Sequence, residues 1–360
     1  MASAHARDFL DQYDRSQREK IMQVFCIAED RVTEQEPLRL LIASLKYQMP
    51  EARIEVFCPF AKADSQLSNW IESLPNVILN VQHLDGLRGY NVKPQALLTL
   101  LDKGYEEVVW VDSDIIVTAP GVRKLIGLDP EVIVVCEEAL YGGYDDRDAW
   151  RAKQWGFEVG RTFPFTLNTG VVRVTEKHRE LLEAWHKQLQ DPRYLAVQRL
   201  PWNERPAYMY GDQDVLTALL CATCFSKIPV QFLYRGKGII QYFGLYGYTV
   251  GERIMHLMNG LCPFIHSQGV KPWRNIWTTK TTGPTAWLAR LYLDLSPYTM
   301  AALKYREESD APLFWARSHS LAASVLRFLG AWSPWACGLP LAMVTDGIRL
   351  AKRLARRVNA

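Results

Sequence analysis

The sequence predicts an α/β protein: a mostly parallel sheet flanked by helices, with a helical carboxyl-terminal extension. Two observations carry that expectation. Strand-like apolar runs alternate with amphipathic stretches of helical length from Met22 onward, the order that produces βαβ units. The run Val108-Val109-Trp110-Val111 is apolar without alternation, as in a strand covered on both faces.

Element by element, Met22–Ala28 reads as a strand, Glu36–Tyr47 as a helix, Arg53–Cys58 as a strand and Ser65–Leu74 as a helix. Asn76–Val81 follows as a strand, Pro94–Lys103 as a helix and Glu106–Val111 as the buried strand. Beyond it the order is more broken. Gly170–Val174 reads as a strand, Glu176–Leu189 and Gln213–Cys224 as helices, and Pro284–Glu308 as a further helical region. Two long irregular stretches, Glu137–Leu167 and Gln190–Gly211, are rich in aromatics and turn formers. Connections of that length commonly serve as binding loops or lids. The divisions are a polar segment over 1–21, the α/β domain over 22–283 and a helical region over 284–360.

The 360 residues are 48% hydrophobic and 22% charged, as in ordinary soluble globular proteins. The first twenty residues are polar and contain no apolar core of a signal peptide, so secretion is not expected. Seven cysteines are an odd number, and Cys26, Cys58 and Cys136 sit in strand-like runs. Reduced, buried thiols in a cytosolic compartment fit better than a disulfide scaffold. Cys221 and Cys224 have redox or zinc spacing but no second pair, and a structural role is expected of them. Strict Gly-x-Gly-x-x-Gly and Walker A sequences are absent, so the common dinucleotide and ATP sites are not supported.

Charge is uneven. Residues 315–360 carry seven Lys/Arg against Asp346 alone, a net of +6 in a chain of +3, so residues 1–314 are net acidic. That argues against nucleic-acid binding by the main body. Gly347–Val358 places Leu350, Ala351, Leu354, Ala355 and Val358 on one helical face and Arg349, Lys352, Arg353, Arg356 and Arg357 around the rest. A short basic amphipathic helix suits anionic lipid headgroups. Upstream, Leu321–Val344 is largely apolar but interrupted by Arg327, Pro334 and Pro340, unlike a spanning helix. An interfacial hairpin and a packed helix pair are both compatible with this pattern. The expected location is cytoplasmic, with the inner face of the cytoplasmic membrane opened by the tail.

Asp112-Ser113-Asp114 ends the buried strand. Two carboxylates there cost several kcal/mol unless something compensates them. A hard divalent cation would do so and would keep positions open for substrate phosphates. A turn with a helix cap is the bland alternative, and Asp146-Arg147-Asp148 and Asp212-Gln213-Asp214 share the pattern. Only the first directly ends a buried strand.

Three further segments stand with it: Phe165-Thr166-Leu167-Asn168-Thr169-Gly170-Val171-Val172, Gly211-Asp212-Gln213-Asp214-Val215-Leu216, and His266-Ser267-Gln268-Gly269-Val270-Lys271-Pro272-Trp273. In this order and spacing, over about residues 22–275, the chain resembles the retaining glycosyltransferases of family 8, which include glycogenins and bacterial lipopolysaccharide galactosyl- and glucosyltransferases. The resemblance implies a GT-A (Rossmann-like) fold over 22–283, a nucleotide-diphosphate sugar donor such as a UDP-sugar, and a divalent metal, Mn2+ or Mg2+. It makes Asp112, Asp114 and His266 the metal ligands, with Asp112 also near the donor ribose. Lys271 would meet the diphosphate, although Gly269 to Lys271 is one residue shorter than in most members. Gln213 would lie under the anomeric face of the transferred sugar and Asp212 would hold its hydroxyls. Gln is a poor nucleophile, so a front-face mechanism with retention is implied. Asn168 would bond the donor sugar, with Gly170 permitting close backbone approach. Lys93 corresponds to a basic residue near donor phosphate or sugar, and Asp30, ending the first strand, is the candidate nucleobase contact.

Ordinary alternatives stand beside these roles: a structural histidine for His266, a solvated lysine for Lys271, a helix cap for Asp212 or Asp30, a turn for Asn168. The implied partners are the nucleotide-sugar donor, a glycan or lipid-linked acceptor and an anionic membrane surface through residues 315–360; no nucleic acid is implied. The expected function is hexosyl transfer in cell-surface polysaccharide or lipopolysaccharide assembly. A sugar nucleotidyltransferase and a non-catalytic glycan-binding scaffold are the alternatives. The first would need a Gly-rich, Arg/Lys-bearing loop that Glu29–Pro37 lacks; the second has no need of metal ligands.

Overall fold

The computed structural model describes residues 23–84, 89–138, 148–243, 246–269, 271–274, 284–317, 320–330 and 335–358. The polar segment 1–21 and the expected boundary at 283 lie outside them. The first half is regular: β1 (Gln23–Ala28), α1 (Gln35–Gln48), β2 (Ile54–Phe57), α2 (Ser65–Ser73), β3 (Val77–Asn80), α3 (Lys93–Asp102) and β4 (Glu107–Val111). Each agrees with its sequence pattern to within one or two residues.

After β4 come β5 (Ile115–Val117), β6 (Ile133–Glu137), α4 (Trp150–Trp155), β7 (Leu167–Thr175), α5 (Arg179–Leu189), α6 (Pro192–Gln198) and α7 (Asp212–Cys221). β8 (Val230–Leu233), β9 (Ile239–Phe243), β10 (Tyr246–Gly247), α8 (Val250–Asn259) and β11 (Phe264–Gln268) complete the two sheets. The carboxyl-terminal region holds α9 (Pro284–Asp294), α10 (Pro297–Lys304), α11 (Leu321–Leu329) and α12 (Leu339–Val358).

The main sheet has seven strands in the order β3-β2-β1-β4-β7-β6-β8. Strands β3, β2, β1 and β4 are mutually parallel, β6 and β8 are parallel, and β7 opposes both neighbours. The expected mostly parallel α/β architecture is therefore present, with one reversed strand inside it. A second sheet has the order β10-β9-β11-β5. One face of the main sheet packs against α3, α5 and α7 through residues such as Leu97, Trp185 and Leu216. The other packs against α1 and α2 through Leu38, Ile42 and Ile71. A third core joins the second sheet to α9 and α10 through Ile240, Tyr292 and Tyr298.

Several expectations need adjusting. The helix expected over Gln213–Cys224 ends at Cys221 because Ala222 is extended, and Cys224 falls in an exposed turn. The region Pro284–Glu308 divides in two: Ser296 leaves the helical conformation and its hydroxyl caps α10 by accepting from Thr299 N at 3.1 Å. Helical turns α4 and α6 interrupt the two stretches read as irregular. Strands β5, β8, β9 and β10 had no counterpart in the pattern, because no alternating α-helix separates β4 from β5 or β8, β9 and β10 from one another to mark their ends. All seven cysteines are free thiols and six are buried. Pro340 stands in the first turn of α12 rather than breaking it, where its missing N–H costs nothing. No helix among the described residues is long and apolar enough to cross a membrane.

Candidate active site

The chain leaves the main sheet at Val111 and enters the second sheet at Ile115, so Asp112-Ser113-Asp114 forms the corner between them. Both sheets hold that corner. Asp112 N donates to Gly170 O of β7 at 2.8 Å, and Ser267 N of β11 donates to Asp114 O at 3.2 Å. In the β5–β11 pairing, Ile115 stands opposite His266. That register delivers an imidazole from far along the chain to the carboxylate next in line: His266 Nε2 lies 3.3 Å from Asp114 Oδ1. One ligand atom from each of Asp112, Asp114 and His266 lies within 4.8 Å of the others.

Glycine at 170 is required for this seat. A Cβ there would stand 2.7 Å from His266 Cε1 and 2.8 Å from Nδ1, distances that side chains do not tolerate. The expected role of Gly170 in close approach is therefore met by the imidazole of the same site.

Lys93, at the start of α3, is buried and its ammonium lies 3.0 Å from Asp112 Oδ1 and 3.4 Å from Asp212 Oδ2. It also donates to Thr169 O at 3.1 Å and Thr169 Oγ1 at 2.9 Å, and that hydroxyl donates to Asp212 Oδ2 at 2.7 Å. Trp110 Nε1 donates to Asp112 Oδ1 at 2.7 Å. Burial works against the Lys93 charge, but the charges of Asp112 and Asp212 outweigh it and hold the ammonium above its ordinary value. For Asp212 burial prevails, with the charge of Asp112 acting in the same direction, and the carboxyl is raised despite Lys93 and Thr169.

Asp114 has other partners. Lys271 donates to its Oδ2 and to Ser267 O. Burial would raise this carboxyl, yet Lys271 and His266 together hold it well below the usual carboxylate range. The segment behind Lys271 is tied down by one buried acid: Trp273 Nε1 donates to Glu34 Oε2 at 2.7 Å and Arg274 Nε to Glu34 Oε1 at 2.6 Å.

These groups border one open cleft of about 180 Å³. Of the residues singled out from sequence, Lys93, Asp112, Asn168, Asp212, Gln213, His266 and Lys271 line it, and Asp114 adjoins His266 and Lys271 at its base. Asn168 Nδ2 lies 3.3 Å from Gln213 Oε1, and Asn168 Oδ1 accepts from Gly170 N at 2.9 Å; both residues stand within strand β7, not in the turn expected of Asn-x-Gly. Asp212 is the first residue of α7; the capping residue is Gly211, whose N–H donates to Asp214 Oδ2 at 3.1 Å. Asp30 is half-buried past the end of β1 and is not part of the cleft lining. Its neighbour Glu29 reaches the corner instead, accepting from Ser113 Oγ at 2.5 Å and from Arg31 Nε at 2.8 Å.

Sequence reasoning gave no role to the other lining residues, among them Glu138, Thr169, Trp202 and Gln268. It also missed the pair beneath α7, where Arg151 Nε donates to Asp214 Oδ1 at 2.9 Å with both side chains wholly buried. Burial pushes the Asp214 carboxyl up to about 7 against the pull of Arg151. Gln268 and Thr169 stood inside quoted motifs, so their position was the available signal; Glu138, Arg151 and Trp202 stood alone in irregular stretches.

Neither the family models nor the curated proteins match the sequence. Among solved structures, the chain is similar to the galactosyltransferase LgtC in complex with donor and acceptor sugar analogues, with 14% identity, 81% of this chain and 98% of that chain covered, and a TM-score of 0.47. A glycosyltransferase involved in glycosylation of the major capsid of PBCV-1 gives 14% identity over 69% of this chain and 94% of that one, with a TM-score of 0.39. The bifunctional glycosyltransferase WbbM gives 15% identity, 78% and 51% coverage, and a TM-score of 0.43. Identities this low leave the site to be read from its own geometry.

Proposed function

We propose that the protein is a retaining, metal-dependent glycosyltransferase that moves a hexose from a UDP-sugar to a glycan or glycolipid acceptor in cell-surface polysaccharide or lipopolysaccharide assembly. The observation that carries this is the convergence, in one cleft, of two carboxylates and an imidazole with a lysine above them and an Asn–Asp–Gln wall beside them.

The residues present fit a divalent ion. The donor set of two carboxylates and an imidazole suits Mn2+ or Mg2+, and His266 Nδ1 is buried with no hydrogen-bond partner among the described residues. Asp112, Asp114 and His266 would hold the ion. A bound ion would supply positive charge to offset that of the leaving nucleotide. Lys271 would add a second positive charge at the diphosphate. Asn168 and Asp212 would bond hydroxyls of the transferred sugar, and the Gln213 amide would face its anomeric carbon. Neither Lys93 nor Gln213 is a nucleophile here, which suits departure and attack on one face. Asp30 remains the proposed nucleobase contact, past the end of β1 and outside the cleft lining.

The tail supports action at a membrane surface. The start of α12 packs into the third core through Leu341, yet Phe328 of α11 is 81% exposed and Leu350 and Leu354 of α12 are 59% and 53% exposed. Exposed apolar side chains in a tail whose sequence carries Arg349, Lys352, Arg353, Arg356 and Arg357 suit the inner face of the cytoplasmic membrane. Deleting residues 315–360 should release the protein from anionic vesicles; undiminished vesicle binding would count against this part.

The transferase itself is tested by hydrolysis of a panel of nucleotide sugars with and without Mn2+. Slow hydrolysis of one UDP-hexose, abolished by a chelator, is the expected result. No turnover, together with no UDP binding in the presence of metal, would overturn it in favour of a non-catalytic glycan-binding protein.

A further inference from the structure

We infer that Trp202, with Gln268 and Glu138, forms a docking subsite for a neutral pyranose ring of the acceptor. The inference rests on the glycosyl-transfer function proposed above and deepens it by naming what the open side of the cleft recognises.

Trp202 borders the cleft and is 49% exposed. A large ring left that open at a cavity wall offers an apolar surface, whereas isolated exposed aromatics elsewhere need no account. Its orientation is fixed. It stacks on Tyr210 with centroids 5.0 Å apart and planes 11° from parallel. The Arg205 guanidinium lies 5.5 Å from its centroid. Arg205 is itself engaged, donating to Gln198 Oε1 at 2.7 Å, Gln198 O at 2.9 Å and Leu200 O at 3.1 Å. Tyr210 directly precedes Gly211-Asp212-Gln213, so the platform is fastened to the turn that presents the Gln213 amide.

The polar half of the subsite borders the same cleft. Glu138, past the end of β6, is buried and accepts from Asn168 Nδ2 at 2.8 Å and Gln268 Nε2 at 3.4 Å. The other end of that amide, Gln268 Oε1, is buried and without a hydrogen-bond partner among the described residues. A buried acceptor left in that state costs about 1–3 kcal/mol, and a ligand hydroxyl would satisfy it. Apolar ring face on one side and acceptors for hydroxyl donors on the other match the two faces of a pyranose. The carboxylate of Glu138 disfavours an acidic sugar.

Strand order separates the ring from the nucleoside, and the exposure of Trp202, against the burial of Asn168 and Asp212 proposed to face the transferred sugar, assigns it to the acceptor. β1 lies on one side of β4, while β7 and β6 lie on the other. Asn168 and Glu138 belong to the β7–β6 side, and Trp202 borders it with Gly211 and Gln213. A nucleoside beside Asp30 would occupy the opposite end.

The test uses the full chain with UDP and Mn2+, probing methyl β-D-glucopyranoside and methyl β-D-galactopyranoside by saturation-transfer NMR while UDP binding is followed by calorimetry. At least one glycoside should receive saturation from the wild type and from Trp202→Phe. Trp202→Ala should weaken its binding about 3- to 10-fold, the scale of one aromatic contact. Gln268→Met should weaken it through lost hydroxyl contact, with UDP affinity unchanged in Trp202→Ala. If UDP binds but neither glycoside does, or if Trp202→Ala retains wild-type binding, the subsite is refuted. If UDP fails to bind the wild type, it is the proposed transferase that fails.

Discussion

Asp112 and Asp114 share one motif, yet each takes its positive charge from a different part of the molecule. Asp112 is served by Lys93, which is fixed on a helix, buried, and bonded to both polar atoms of Thr169. Asp114 is served by Lys271, on a short segment behind Gly269, whose φ of 67° lies in the left-handed region. Both ammonium groups line the cleft, but the first is shared with a second carboxylate, Asp212. The second is shared with the Ser267 carbonyl and lies over the Trp273 ring. Under the proposed function the contrast suits two tasks: Lys93 compensates the charge of the acid cluster, and Lys271 would exchange its carboxylate for a donor phosphate.

The largest effect should follow from Lys93→Met. Two buried carboxylates would lose their cation, and breaking such a pairing costs about 3–5 kcal/mol. Denaturant unfolding should report a loss of that order along with lost nucleotide binding; a near-wild-type midpoint would make Lys93 a mere donor contact. Lys271→Met should cost less, about 1.5–3 kcal/mol for a charge-assisted bond, because His266 still faces Asp114. Its main consequence should be weaker UDP binding, by about 10-fold or more, measured calorimetrically with Mn2+ present. Equal destabilisation by the two variants would erase the proposed division.

Gly170→Ala sharpens the same comparison from the imidazole side. The added methyl would push on His266, at a cost of about 1–3 kcal/mol for overpacking. Mn2+ affinity should fall about 10- to 100-fold, as when a ligand's supporting shell is disturbed. Retained affinity in titrations of free Mn2+ would mean that His266 is not a ligand.

How much of this was legible in the sequence depends on how far each contact reaches. Asp112 and Asp114 announced themselves because charge interrupts an apolar strand, and the first seven elements were readable because their periodicity runs long enough to be unambiguous. His266 was placed by resemblance, but the reason it meets Asp114 is the β5–β11 register, and three-residue β5 leaves no periodic trace. Lys93 was read as a donor contact; that it bridges Asp112 and Asp212 depends on three elements meeting. Arg151 and Asp214 pair across 63 positions, and nothing local to either residue reveals a partner. Glu138 and Trp202 sit at the edges of stretches whose turn-rich composition marks them as loops without saying which side chain faces inward.

The smallest effects should come from pH, and they test the comparison without altering its geometry. Asp114 is held well below its ordinary 3.8 in the folded protein, so its contribution to stability is complete above that value and is lost as pH falls through the depressed one. Lys93 is held above its ordinary 10.5, so its contribution is complete below that value and is lost as pH rises through the raised one. At neutral pH both are in full force, and the stability curve should be flat as far as these groups are concerned. Asp114→Asn should therefore flatten only the acid limb of unfolding free energy against pH, and Lys93→Met only the alkaline limb. Because the two charges interact across one corner, each variant tests whether the other limb keeps its slope. Limbs that change together would show that the motif and its two lysines titrate as one cluster, not as a fixed half and an exchangeable half.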